Sequence, residues 1–109
     1  ILFFFFRFWN VKHIVFFRFN REFNFAKKQA HAEEIKQRLE ALLDLIPEII
    51  SIEIGINYNA TDNCSDIALY SEFASRGDLD KYQSHPEHLA LVPFVNSLTE
   101  ERRVVDYEF

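Results

Sequence analysis

The chain is 109 residues long, enough for one domain with a core of modest size. Hydrophobic residues make up 49% and charged residues 27%, which excludes a disordered chain, and the net charge of -5 with interspersed Lys and Arg lacks the basic stripe that nucleic-acid binding needs. The lone Cys64 excludes a disulfide framework and a thiolate metal cluster, and it points to a reducing cytoplasm.

Residues 1–9, Ile1 to Trp9, form an aromatic run too short to span a bilayer, with neither the basic start nor the cleavage site of a signal peptide. No membrane segment is expected from it. Ile1-Leu2-Phe3-Phe4-Phe5-Phe6-Arg7-Phe8 echoes His13-Ile14-Val15-Phe16-Phe17-Arg18-Phe19, the pattern of an added, aggregation-prone edge strand. We read 1–9 as an N-terminal extension that the residues do not show to be native, and 10–109 as the domain.

From Val11 to Phe19 the composition predicts a strand with His13, Val15, Phe17 and Phe19 on one face and Ile14 and Phe16 on the other. After a polar-aromatic connection, a long helix is predicted over about 26–46. Its apolar stripe is Ile35, Leu39, Leu42 and Ile46, and Pro47 ends it. Ile50, Ile52, Ile54 and Ile56 alternate with polar residues and predict a second strand. A polar loop follows, whose Asn59-Ala60-Thr61 and Asn63-Cys64-Ser65 triplets carry meaning only in a secreted protein. Cys64 reads there as an ordinary loop residue.

A third strand is predicted over about 66–73 with Ile67, Leu69 and Phe73 inward. Ser75 and Asp78 have capping-box spacing, so a short helix starts there and carries Leu79 and Tyr82 inward. His85 stands at an N-cap position and Pro86 at the first position of a further helix, which Pro93 is expected to kink or restart. Arg103 to Phe109 closes the chain as a strand with Val105, Tyr107 and Phe109 on one face.

The order strand, helix, strand, strand, helices, strand is that of a ferredoxin-like βαββαβ protomer, an α+β fold with an antiparallel sheet and helices on one face. The first strand is apolar on both faces and the isoleucine ladder adds to it. The uncovered face therefore calls for a second copy, a two-fold contact of roughly 2,000 Å² or more that makes a homodimer.

Val11-Lys12-His13-Ile14-Val15, Leu45-Ile46-Pro47-Glu48-Ile49, His85-Pro86-Glu87-His88-Leu89 and Val104-Val105-Asp106-Tyr107, in that order, give a chain that resembles the stress-responsive A/B barrel (Dabb) family. The resemblance covers everything from Val11 onward and implies a dimeric α/β barrel. It implies little about activity, since many members have no assigned role, some are stress-induced and plant members include a polyketide cyclase. In that branch a Tyr before the His-Pro-x-His motif and the motif's second His act in acid–base catalysis, with an early-strand His lining the pocket. The matching positions are Tyr82, His88 and His13; Pro93 departs from the smooth helix expected there.

His88, in the first turn of a helix, is held neutral by the positive end of the helix dipole, as a general base needs, and Tyr82 can hydrogen-bond a developing enolate oxygen. Each also has a plain structural reading: a histidine at a helix start caps backbone, His13 fits a satisfied core position, and Tyr82 fits packing. His85 and His88 have i, i+3 spacing but no evident third ligand, so no metal is expected, and no cofactor. Tyr70, Glu72 and Glu53 form either a polar lining or solvated positions. Three functions follow: a homodimer binding a small hydrophobic or carbonyl-containing ligand, an acid–base enzyme on a carbonyl or polyketide-like substrate, or a haem- or cofactor-free monooxygenase-like role. None requires a nucleic acid or a membrane.

Overall fold

The computed structural model describes residues 9–109, so the strand pattern over residues 1–8 lies outside the described part. Trp9 precedes the first strand and is part of no element. Strands β1 (Val11–Phe19), β2 (Ile49–Ile56), β3 (Ile67–Phe73) and β4 (Thr99–Glu108) form one antiparallel sheet in the order β2-β3-β1-β4. Helices α1 (Phe25–Glu40), α2 (Arg76–Ser84) and α3 (Pro86–Leu98) complete the ferredoxin-like α+β arrangement. Among the described residues no helix is long and apolar enough to cross a membrane.

Burial in β1 and β3 alternates, because a strand sends successive side chains to opposite faces. Val11, His13, Val15, Phe17 and Phe19 are buried with Ile67, Leu69, Ser71 and Phe73, and the helices add Ile35, Leu39, Leu42, Leu79, Tyr82, Val95 and Leu98 to the same core. The opposite face of the sheet carries Ile14, Phe16, Tyr70, Val105 and Tyr107, set by the cross-strand pairs Ile14 with Tyr70 and Val105 and Lys12 with Tyr107. The polar positions Glu53 and Glu72 lie on this open face too, paired with Tyr70 and Lys12, so none of the three belongs to a site under the helices.

The isoleucine ladder corrects two expectations. A register shift between Ile49 and Ser51 buries Ile49 and leaves Ile50 exposed, because the irregularity reverses which parity faces inward. Ile54 is buried in the core and Ile52 and Ile56 pack against it, so the ladder serves the helix side rather than the open face. That side is anchored by Glu40, whose carboxylate accepts from the Ile54 amide at 2.9 Å and from the Lys36 ammonium at 2.8 Å. Burial alone would raise the Glu40 carboxyl, but these two donors together hold it below the usual carboxylate range.

The long helix also ends earlier than its apolar stripe. Asn24 caps α1 by accepting from the Lys27 amide at 2.8 Å, and α-helical bonding stops at Glu40, replaced over Ala41–Asp44 by a tighter 3₁₀ turn. Ile46 precedes Pro47 and is disfavoured in a continuing helix. The turn keeps Leu42 and Ile46 buried although they are no longer in α1.

Ser75 caps α2 by accepting from the Asp78 amide at 3.0 Å, and His85 caps α3 by accepting from the Glu87 amide at 3.1 Å with Pro86 at the first helical position. Pro93 neither breaks nor restarts α3, which runs from Pro86 to Leu98. Pro93 and Leu89, four residues earlier, are both on the exposed side, where the unpaired carbonyl can be solvated. The last strand begins at Thr99, four residues before the expected Arg103, and pairs with β1 along almost its whole length.

Candidate functional site

Beneath α2 and α3 lies a cavity of about 250 Å³, and all three expected residues line it: His13 from β1, Tyr82 from α2 and His88 from α3. Val15, Leu39, Leu69, Leu91, Val92 and Val95 supply apolar wall, and Asn96 and Arg102 add polar groups. The ring centroids of Tyr82 and His88 are 4.6 Å apart and those of Tyr82 and His13 are 6.3 Å apart, so Tyr82 neighbours both histidines.

His13 is 2% exposed, and its Nδ1 lies 2.5 Å from Asp106 Oδ1. A carboxylate oxygen accepts there, so Nδ1–H donates and the ring is held by a strand 93 positions away in sequence. His88 is the third residue of α3, and its Nδ1 lies 3.0 Å from the Gln83 carbonyl. A carbonyl can only accept, so the proton sits on Nδ1 and Nε2 keeps its lone pair. Burial holds His88 below the usual histidine range, and the charges of His13 and Arg102 push the same way against the opposing Gln83 bond.

Tyr82 is fully buried, and among the described residues its hydroxyl has no hydrogen-bond partner. Burial pushes this phenol up to about 12, against a small opposing pull from Arg102, so at ordinary pH it is a donor and not a base. The pair is thus sorted by environment: a neutral imidazole with a free lone pair beside a phenol that keeps its proton.

The remaining histidine of the motif does not join them. His85 Nδ1 is occupied by the Glu87 amide, which makes it a cap. Asp106 and Arg102 are the site residues that the sequence reading missed. The available signal was parity: if Val105 and Tyr107 face one way on the closing strand, then Arg102, Val104 and Asp106 face the other.

A wider cleft of about 900 Å³ opens elsewhere, bordered by Arg18, Arg21, Lys28, Tyr58, Cys64 and Asp66, and it contains none of the expected residues. Its charges are largely matched within the protein, Arg21 with Glu100 at 3.3 Å and Lys28 with Asp66 at 4.0 Å. Cys64 lies 2.8 Å from Thr61 Oγ1, and that hydrogen bond lowers the thiol from its ordinary value.

Comparison with known proteins agrees with the fold. The chain is similar to a dimeric protein of unknown function with a ferredoxin-like fold from Bacteroides fragilis, at 39% identity and a TM-score of 0.84 over 92% of this chain and 96% of that one. A dimeric ferredoxin-like protein of unknown function from Thermobifida fusca aligns at 22% identity and a TM-score of 0.79, covering 95% and 94%. The hydroxynitrile lyase from Passiflora edulis shares the fold at 21% identity and a TM-score of 0.77, covering 92% and 93%. No curated protein matches the sequence. Residues 11–109 match the stress responsive A/B barrel domain, and the chain belongs to that family.

Proposed function

We propose that this protein is a cytoplasmic homodimer that binds a small carbonyl-bearing molecule in the cavity beneath α2 and α3. The observation that carries the reading is the Tyr82 hydroxyl, buried beside a cavity of about 250 Å³ with no partner among the described residues. A buried donor without a partner costs about 1–3 kcal/mol, and a ligand oxygen would relieve it. The apolar walls favour a compact, largely hydrophobic body. The dimer follows from the open sheet face, where Phe16, Val105 and Tyr107 are each at least 40% exposed, and from the dimeric relative at 39% identity. The reducing compartment rests on the single cysteine.

A second reading, acid–base catalysis, is favoured by the protonation of the pair. His88 Nε2 would take a proton from the carbon next to a carbonyl, the C–H electron pair would become the enolate π bond, and the enolate oxygen would accept from the Tyr82 hydroxyl. His13, fixed by Asp106, would orient the same substrate. The hydroxynitrile lyase shows only that this fold can carry an enzyme.

Benzaldehyde and acetophenone are suitable probes. At about 100 times its Kd, a ligand adds roughly 2.7 kcal/mol of stability, enough to raise the melting temperature by several degrees. No shift with either probe, nor with benzoate or phenylacetate, at millimolar concentration would overturn the binding reading, and a monomer by light scattering at micromolar concentration would overturn the dimer.

A further inference from the structure

We infer that the ligand of this cavity is an organic anion, a carboxylate on an apolar body, selected by Arg102. The inference rests on the cavity being a ligand site and names the class of ligand.

Strand β4 is dense in charge, and its acids are already taken. Glu100 pairs with Arg21 at 3.3 Å, Glu101 with Arg18 at 3.5 Å and with Arg103 at 2.6 Å, Asp106 with His13 at 2.5 Å, and Glu108 with Arg76. Among the described residues Arg102 is the one charged side chain of β4 outside these pairs. Its cross-strand partner is Phe17, a buried position, so it stands on the helix side of the sheet and borders the cavity while remaining exposed to solvent.

The polar groups around the cavity are unequal in kind. Arg102 only donates, the Tyr82 hydroxyl is buried without a partner among the described residues, and Asn96 adds an amide. A carboxylate only accepts, and it can take two parallel N–H bonds from the guanidinium while its second lone pairs meet Tyr82. A neutral aldehyde would satisfy Tyr82 and leave the cation at the mouth unmatched.

The test is calorimetric titration of the full-length protein with matched pairs, benzoate against benzamide and phenylacetate against phenylacetamide. Each pair keeps the carbonyl and changes the charge. Wild type should prefer each carboxylate by about tenfold or more, the worth of a charge-assisted bond over a neutral one. Arg102→Gln should level the pairs, and Arg102→Lys should restore part of the preference, because it keeps the charge but loses the fork. Tyr82→Phe should weaken carboxylate binding too, which a surface arginine site would not show. Equal affinities within each pair, or an Arg102→Gln variant that keeps the preference, would overturn the inference. If benzaldehyde and acetophenone bind and the carboxylates do not, anion selection alone is wrong. If none of the six compounds binds, the cavity is not a ligand site and both readings fall.

Discussion

Replacing Tyr82 by phenylalanine separates the packing of this ring from its hydroxyl. The ring lies 5.0 Å from Phe73 and 4.6 Å from His88, and phenylalanine keeps both contacts. The hydroxyl has no partner among the described residues, so near pH 8 the variant should be no less stable than wild type, within about 1 kcal/mol. Alkaline pH should then part the two proteins. The folded phenol is pushed up from 10.0 to about 12, so between those values the unfolded chain releases a proton that the folded one keeps. That contribution is fully present below pH 10 and is lost as pH rises through 12. At pH 11 the loss is about 1.4 kcal/mol for wild type and zero for Tyr82→Phe, while all other groups titrate equally in both. Urea unfolding of the two proteins at pH 8 and pH 11 measures the gap. If the gap does not open, or if the variant loses more than about 1 kcal/mol at pH 8, the hydroxyl has a partner and is not free for a ligand.

Leu39→Ala should cost on the order of 2 to 5 kcal/mol, toward the lower end because Leu39 borders an existing cavity; a loss below about half a kcal/mol in chemical unfolding would show that it carries no core. Phe16→Glu, a charge in the middle of the open sheet face, should halve the mass seen by light scattering while circular dichroism stays helical and sheet-like; an intact dimer would put the interface elsewhere. His88 sits below the usual histidine range, so its contribution to stability is present above about pH 6.5 and is lost as pH falls through its lowered value. Thermal melts of His88→Gln between pH 7 and pH 5 should show a shallower decline than wild type, and parallel curves would count against a depressed imidazole. Glu40→Gln should unfasten α1 from β2 at a cost of about 1 kcal/mol at neutral pH that shrinks as pH falls through the carboxyl's lowered value, and a cost that does not shrink on acidification would show that charge is not what matters there.

Local chemistry made most of the fold legible. The alternation in β1 and β3, the Ser75 cap, the His85 cap with Pro86 behind it and the buried stripe of Ile35, Leu39, Leu42 and Ile46 depend on neighbours within a few residues, and each stands as expected. The departures lie where a distant partner decides. Glu40 is drawn to the Ile54 amide 14 positions on, close to the point where α-helical bonding ends, and no periodicity within the helix carries that information. The shift at Ile49 is a matter of pairing with Phe73 and Glu72, so a strict period of two over Ile50, Ile52, Ile54 and Ile56 places the first of them on the wrong face.

The site divides along the same line. His13, Tyr82 and His88 are the positions that the family resemblance implies, and they converge because β1, α2 and α3 enclose one cavity. Arg102 belongs to a stretch, Thr99-Glu100-Glu101-Arg102-Arg103, that reads from sequence as a solvated charge run, and Asp106 lies three residues beyond it in the closing strand. Their meaning depends on register, Arg102 beside Phe17 and Asp106 beside His13, and register across more than eighty residues is set by tertiary packing. An edge strand is also where such charges can be tolerated on the inner side of a sheet. Val104, between the two on that same face, is still 38% exposed, which shows that the helices do not fully cover β4. A guanidinium there stays hydrated and needs no buried counter-ion in the protein, whereas the same residue on β1 or β3 would sit in the core and cost several kcal/mol. The edge position of β4 is therefore what allows one cavity to combine a desolvated phenol and imidazole with a cation that remains available to a ligand.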